Sequence, residues 1–257
     1  MRGRRSVAAS LLLVTALVLA GCAGKSARDE AASPEDESRD KAVATNVQLA
    51  GIYMQRGQYN FAKEKVDKAL AIDPRSTHAN NMAGLLYWKL GEAKQAEQHF
   101  RQAVRSGHDN PEALNNYGAF LCERGDVRKA VEYFNEAAAN PLYPARSQAL
   151  GNAGRCLMKA GDPINAELQY RQALKLDPRN GDALVNLSRI AYQGGRLLTA
   201  QGFLKQYFDL RQESAESLYL AVLVEQRMGN RDAASRYARI LRNRYPATPE
   251  ASKVSGY

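Results

Sequence analysis

Residues 111–156 read PEALNNYGAFLCERGDVRKAVEYFNEAAANPLYPARSQALGNAGRC. With Pro111 counted as position 1, Gly118, Gly125, Ala130, Phe134 and Ala137 fall at positions 8, 15, 20, 24 and 27. The same columns recur on both sides when units are started at Val43, Thr77, Pro111, Ser147, Gly181 and Ala215. Position 15 is then glycine in all six (Gly57, Gly91, Gly125, Gly161, Gly195, Gly229), and position 20 is alanine in all six (Ala62, Ala96, Ala130, Ala166, Ala200, Ala234). Position 8 is small in five of them (Ala50, Gly84, Gly118, Gly154, Ser188), with Val222 the exception. Proline closes three units at position 32: Pro74, Pro178 and Pro246. The units are 34 residues apart, except for 36 between the third and fourth, where Ala145 and Arg146 are extra.

Each column has a physical cause. The position-15 glycine suits a turn between two helices, where the backbone needs positive φ. Alanine at position 20 and a small residue at position 8 let the two helices approach closely. Proline stops the second helix, because it lacks an amide hydrogen and restricts the residue before it. A 34-residue period with these columns is that of the tetratricopeptide repeat (TPR). The expected fold is therefore all-α: a right-handed superhelical solenoid of six helix-turn-helix TPR units at 43–76, 77–110, 111–146, 147–180, 181–214 and 215–246, followed by a tail at 247–257. One unit cannot bury its apolar face, whereas stacked units bury a continuous core and leave a concave surface for ligands. No strand-like alternation is present.

The N-terminus reads differently. Arg2, Arg4 and Arg5 precede a short run, residues 7–20, that is apolar apart from Ser10 and Thr15. This is a secretory leader over residues 1–21, too short for a comfortable membrane span. The Arg4–Arg5 pair raises twin-arginine export, but the residues around it fit that motif poorly and general secretion is preferred. The run ends Leu19-Ala20-Gly21-Cys22, which resembles a bacterial lipoprotein box in which the chain is cut before the cysteine and Cys22 is lipidated. An ordinary leader with an incidental cysteine is the plain alternative. Ala23, rather than aspartate, follows Cys22, and by the same resemblance the anchor belongs in the outer membrane, with the protein on its periplasmic face. Residues 22–42 have no apolar periodicity and are expected to be a disordered linker reaching about 25 Å.

The chain carries net charge +9. The excess is uneven: the linker is acidic, while Arg227, Arg231, Arg236, Arg239, Arg242 and Arg244 crowd the last unit. That cluster reads either as a solvated cap on the solenoid or as a contact for lipid phosphates, cell-wall polymers or an acidic partner. No nucleic-acid partner is expected of an exported chain. No Gly-rich phosphate loop or nucleophile motif occurs. His78, His99 and His108 lack ligand spacing with the cysteines, so no metal, cofactor, small-molecule substrate or enzymatic activity is expected.

In a TPR solenoid the concave face comes from positions 2, 5, 9 and 12 of each first helix. In the first two units these are Val47, Gly51, Met54, Asn81, Leu85 and Trp88, an apolar set containing the chain's one tryptophan. Such a set makes a protein-binding groove or packs against neighbouring repeats. Further along, Glu112, Asn115, Gln148, Arg155, Asp182, Arg189 and Tyr192 make the face polar, with side chains suited to grip an extended backbone or a carboxylate. Cys122 and Cys156 fall on the first helices of adjacent units. With Cys22 lipidated, these two thiols remain in an oxidising compartment, either joined as a disulfide or buried and free.

The runs NNYG and FLC (115–118, 120–122), PLY (141–143) and NAG with Cys156 (152–156), together with ESLYLAVLVEQRMGNRDAASRYARILRNRYP (216–246), resemble the type IV pilus biogenesis and stability lipoprotein family called PilW or PilF. The resemblance spans the lipoprotein box and all six repeats. It implies a pilotin: a lipoprotein that brings secretin subunits to the outer membrane and supports their multimerisation into the ring through which the pilus passes. Some members are described instead through fibre stability. Two other readings are a periplasmic adaptor that scaffolds cell-wall hydrolases and a part in outer-membrane barrel assembly.

Overall fold

The structure, a computed structural model, describes residues 33–254 and 256. The leader and Cys22 therefore lie outside the described residues. Twelve helices form six antiparallel pairs: α1 (Pro34–Gln55) with α2 (Tyr59–Ile72), α3 (Thr77–Lys89) with α4 (Ala93–Ser106), α5 (Pro111–Glu123) with α6 (Val127–Ala139), α7 (Arg146–Lys159) with α8 (Pro163–Leu176), α9 (Gly181–Gln193) with α10 (Leu197–Asp209), and α11 (Ala215–Arg227) with α12 (Arg231–Arg244). A short α13 (Pro249–Ser252) follows, and no strand is present among the described residues. Backbones of first helices approach closely at most junctions between successive pairs while those of second helices lie further apart, so the second helices fan out on the convex side.

The turns inside the pairs are built alike. All six position-15 glycines have φ between +70° and +87°. Each is followed by an amide that reaches back to close the first helix: Asp126 N donates to the Leu121 carbonyl at 2.9 Å, as Gln58 N does to Tyr53 at 2.8 Å. This is the Schellman closure that a left-handed glycine permits.

Position 8 is small because position 24 is large. A Cβ on Gly84 would sit 2.6 Å from the Phe100 ring, and one on Gly154 would sit 2.8 Å from Tyr170. In the sixth repeat the sizes are exchanged: Val222 stands at position 8 and Ala238 at position 24, both buried in one cluster. The exception in the column is a volume-conserving swap across one contact. In the fifth repeat Ser188 Oγ donates to the Ala200 carbonyl at 3.0 Å, satisfying a fully buried hydroxyl.

Two features depart from the sequence expectation. Residues 34–41 are not an unstructured linker but the first two turns of α1. Ser33 caps that helix by accepting from Asp36 N at 3.1 Å, Pro34 stands at its first position, and Glu35, Asp36 and Glu37 face its positive end. Second, residues 247–257 are not a plain tail. α13 packs on α11 and α12, burying Ala251 and Val254 and closing the exposed end of the last core cluster. The insertion after α6 lets that helix lie more closely along α7 than other second helices lie on their successors. Tyr143 fills the junction, and Arg146 Nε donates to the Ala138 carbonyl at 2.7 Å.

A charged clamp joins the fourth and fifth repeats on the convex side. Glu167 accepts from Arg196 at 2.6 and 3.0 Å and from Arg171 at 2.7 Å. The Arg196 guanidinium first, and Arg171 with it, hold the Glu167 carboxyl at about 2, below its usual 4.5. A carboxyl depressed in the folded state stabilises the fold above its unfolded pKa and loses that contribution as pH falls through the folded value. Glu167→Gln should therefore cost about 1 kcal/mol at pH 7, the arginines being half exposed and screened. In urea titrations the gap to the unsubstituted chain should narrow below about pH 4.5 and vanish near pH 2.

Candidate protein-binding groove

The concave face divides at the third repeat. On its N-terminal side, Met54, Leu85 and Trp88 line a cleft of about 460 Å³ flanked by Lys89 and Glu123. Trp88 is half-buried. One edge meets Phe120 at 5.8 Å and Phe100 at 6.3 Å in near-perpendicular arrangements, while another part of the indole faces the cleft. It is both a wall of the groove and a lid on the aromatic core beneath. Val47 is not part of this cleft. It lines a separate opening of about 820 Å³ with Asp40, Arg75 and His78, near the start of the array. Asn81 is buried and accepts from Asn116 Nδ2 at 3.3 Å, so it links the second repeat to the third rather than meeting a ligand.

On the C-terminal side Asn115, Arg155, Asp182 and Arg189 are occupied with polar neighbours. Asn152 Nδ2 donates to Asn115 at 2.9 Å, and Arg155 pairs with Asn152 and, at 2.6 Å, with Asp182. Asp182 also accepts from Asn186 at 3.1 Å, Arg189 donates to Asn186 at 2.7 Å, and Arg189 pairs with Glu216. Tyr192 lies under the Arg227 guanidinium at 5.6 Å. The result is a ladder of polar contacts from α5 to α11. Arg155 and Arg189, expected to grip a partner, are instead bound to the next repeat. The signal was in the sequence: an arginine at position 9 is followed 27 residues later by an acid at position 2 of the next unit, in Arg155–Asp182 and again in Arg189–Glu216. Lys89 and Glu123, the charged rim of the apolar cleft, fall outside the four inner-face positions, so the repeat columns do not select them.

Between the halves, Cys122 of α5 and Cys156 of α7 form a disulfide with Cα atoms 5.7 Å apart. It ties the third repeat to the fourth, the same two repeats that the Asn115–Asn152 hydrogen bond joins at the start of the ladder. Among the described residues no group of His, Cys, Asp and Glu is placed to hold a metal, and no helix is long and apolar enough to cross a membrane.

Tetratricopeptide-repeat profiles match residues 47–111, 81–146, 121–170 and 157–222. The chain is 30% identical over 249 residues, 95% of its length and 96% of the relative's, to the type IV pilus assembly protein PilF of Pseudomonas aeruginosa. The chain belongs to the PilF and PilW family of type IV pilus assembly proteins. The structure of Pseudomonas aeruginosa PilF overlays with a TM-score of 0.75 at 28% identity, covering 85% of this chain and 99% of that one. PilW, a widely conserved type IV pilus biogenesis factor, overlays with a TM-score of 0.73 at 30% identity, covering 83% and 98%. The PilF and PilW family is one of repeat scaffolds, not of enzymes.

The disulfide closes a 34-residue interval. Cross-links of that span reduce the freedom of the denatured chain by about 3–4 kcal/mol. Cys122→Ser with Cys156→Ser should lower the unfolding free energy by up to that amount in denaturant. Helical circular dichroism at low temperature should persist, because each repeat keeps its nearest-neighbour packing.

Proposed function

We propose that this chain is an outer-membrane pilotin of the type IV pilus. In this reading it is anchored through lipidated Cys22 on the periplasmic face, and it binds secretin subunits and promotes their localisation and multimerisation. The observation that carries the reading is the apolar cleft of Met54, Leu85 and Trp88, in a chain related over nearly all its length to a pilus assembly protein. A concave cleft with an aromatic wall and one charge of each sign on its rim suits an extended or helical segment whose apolar side chains are exposed until assembly hides them. The polar half suits this role less, since Arg155 and Arg189 are already paired with Asp182 and Glu216. Deletion of the gene should remove secretin multimers from outer-membrane fractions while monomers persist. Unchanged multimers would reject the reading.

Two substitutions test its parts. Trp88→Ala should weaken secretin binding by about 2 kcal/mol, roughly thirtyfold, if the indole is a central anchor. Arg239→Ala on α12 should leave it unchanged. Thermal melts must accompany the binding curves, because Trp88 also covers Phe100 and Phe120. Early melting with normal binding in the cold would make Trp88 a core residue only.

For the anchor, residues 1–22 are exchanged for a leader that is cut without lipidation. The protein should then leave the outer membrane on a high-salt wash that the unaltered protein survives, since acyl chains hold without help from charge. Equal retention of both proteins would refute lipidation at Cys22.

A further inference from the structure

Large aliphatic side chains stand free on the convex side of the fourth and fifth repeats. Ile164 and Leu198 occupy the same position, 18, of adjacent units and are 76% and 75% exposed, and Leu168, one turn beyond Ile164, is 54% exposed. In the first three repeats that position holds Asn60, Lys94 and Arg128. The two helices carrying the aliphatics are held side by side: Glu167, next to Leu168, is bound by Arg196, two residues before Leu198, and the Arg171 guanidinium lies 5.8 Å over the Phe203 ring. Three neighbouring exposed aliphatics are a patch, unlike the isolated Phe61 or Leu142.

The charge around the patch is predominantly positive. α8, α10 and α12 together carry eight Lys or Arg against three Asp or Glu. Position 25 of the fourth, fifth and sixth repeats is Arg171, Lys205 and Arg239, a cationic row two turns along the same helices from position 18, in which Arg171 shares its charge with Glu167. Arg236 and Arg239 are exposed on the outer face of α12. Setting aside Glu167 with its partner Arg171, and Arg244, which pairs with Glu213, leaves six bases against Asp209 and Asp232.

We propose that the convex face of repeats four to six rests on an anionic phospholipid surface, with Ile164, Leu168 and Leu198 dipping into the headgroup boundary and the cationic row lying against phosphates. Protruding aliphatics beside a cationic row are the features of a side chain set that lies in a lipid interface. A protein partner is the less fitting occupant. Protein hot spots centre on aromatic or arginine anchors in well-packed pockets, and none of the clefts described above is lined by Ile164, Leu168 or Leu198. Lying on its convex face, the solenoid keeps its concave groove turned away from the membrane. The contact goes beyond the pilotin reading and does not rest on it, since it needs neither secretin nor the acyl chains.

The test is flotation of the chain from Ala23 onward, which keeps every described element, with vesicles of phosphatidylglycerol and phosphatidylethanolamine or of phosphatidylcholine alone. The chain should float with the anionic vesicles at low salt, and about tenfold less at high salt. Ile164→Gln with Leu198→Gln should weaken partitioning at least tenfold, and Arg236→Glu with Arg239→Glu should abolish the preference for anionic lipid. All four side chains are exposed, so melting temperatures should hold. No flotation, or flotation that neither pair lowers, overturns the proposal. Loss of secretin binding in the glutamine pair with vesicle binding intact would instead make the face a protein interface, and the proposal would fail.

Discussion

The ring of Phe100 lies where a side chain on Gly84 would have to be, and its counterparts at Gly118–Phe134 and Gly154–Tyr170 do the same in the next two repeats. That contact sets how closely the two helices of a repeat approach. The approach in turn sets the width of each layer and where the next layer can seat. A methyl group added at position 8 would have to push an aromatic ring out of a close-packed interior, at a cost of the order of 1–3 kcal/mol. The pair is therefore read as a unit, and the sixth repeat shows it: Val222 is allowed because Ala238 makes room. The layers then have no choice but to stack, since one unit alone cannot cover its own apolar face.

Given such a stack, the concave surface is left to be chemically specialised, and the two halves have taken opposite courses. From Asn115 to Glu216 the polar side chains satisfy one another across successive helices. Exposed ion pairs of this sort contribute little to stability, about 0–1 kcal/mol each. Their effect is geometric: each arginine reaches the next repeat and holds it in register. In the first two repeats no such ladder of charges runs along the groove, and Met54, Leu85 and Trp88 are left facing the cleft. The disulfide joins the third and fourth repeats beside the ladder's first rung, Asn115–Asn152.

Much of this was legible in the sequence for a plain reason. Repeat columns record backbone requirements, and a glycine with positive φ or an alanine at a helix crossing has few substitutes, so helix starts at Thr77, Pro111, Gly181 and Ala215 fall where the units begin. The ends of the array were less legible because their signals are not periodic. Residues 34–41 lack an apolar stripe, yet Ser33, Pro34 and the three acids after it spell a helix start, and the local capping signal prevailed over composition. α13 is not legible because a four-residue helix shows no period; it contributes Ala251, and Val254 follows just beyond it, to the last cluster. On the concave face, the column positions showed which residues point inward. They did not show which of them are already engaged. Asn81, Arg155 and Arg189 point inward and are spoken for, and only pairing one repeat's position 9 with the next repeat's position 2 makes that visible.

The engaged and free residues together bear on what kind of partner surface the scaffold can hold. A partner meeting the polar half would have to displace Asp182 from Arg155 or Glu216 from Arg189, stranding one charged group for every new ion pair it formed. A partner meeting the apolar half displaces only water from Met54, Leu85 and Trp88, and removing apolar surface from water is favourable without any exchange of polar partners. The groove is therefore biased along its length toward apolar occupants at its N-terminal end. That bias follows from the side chains the ladder has already claimed as much as from those the cleft leaves free.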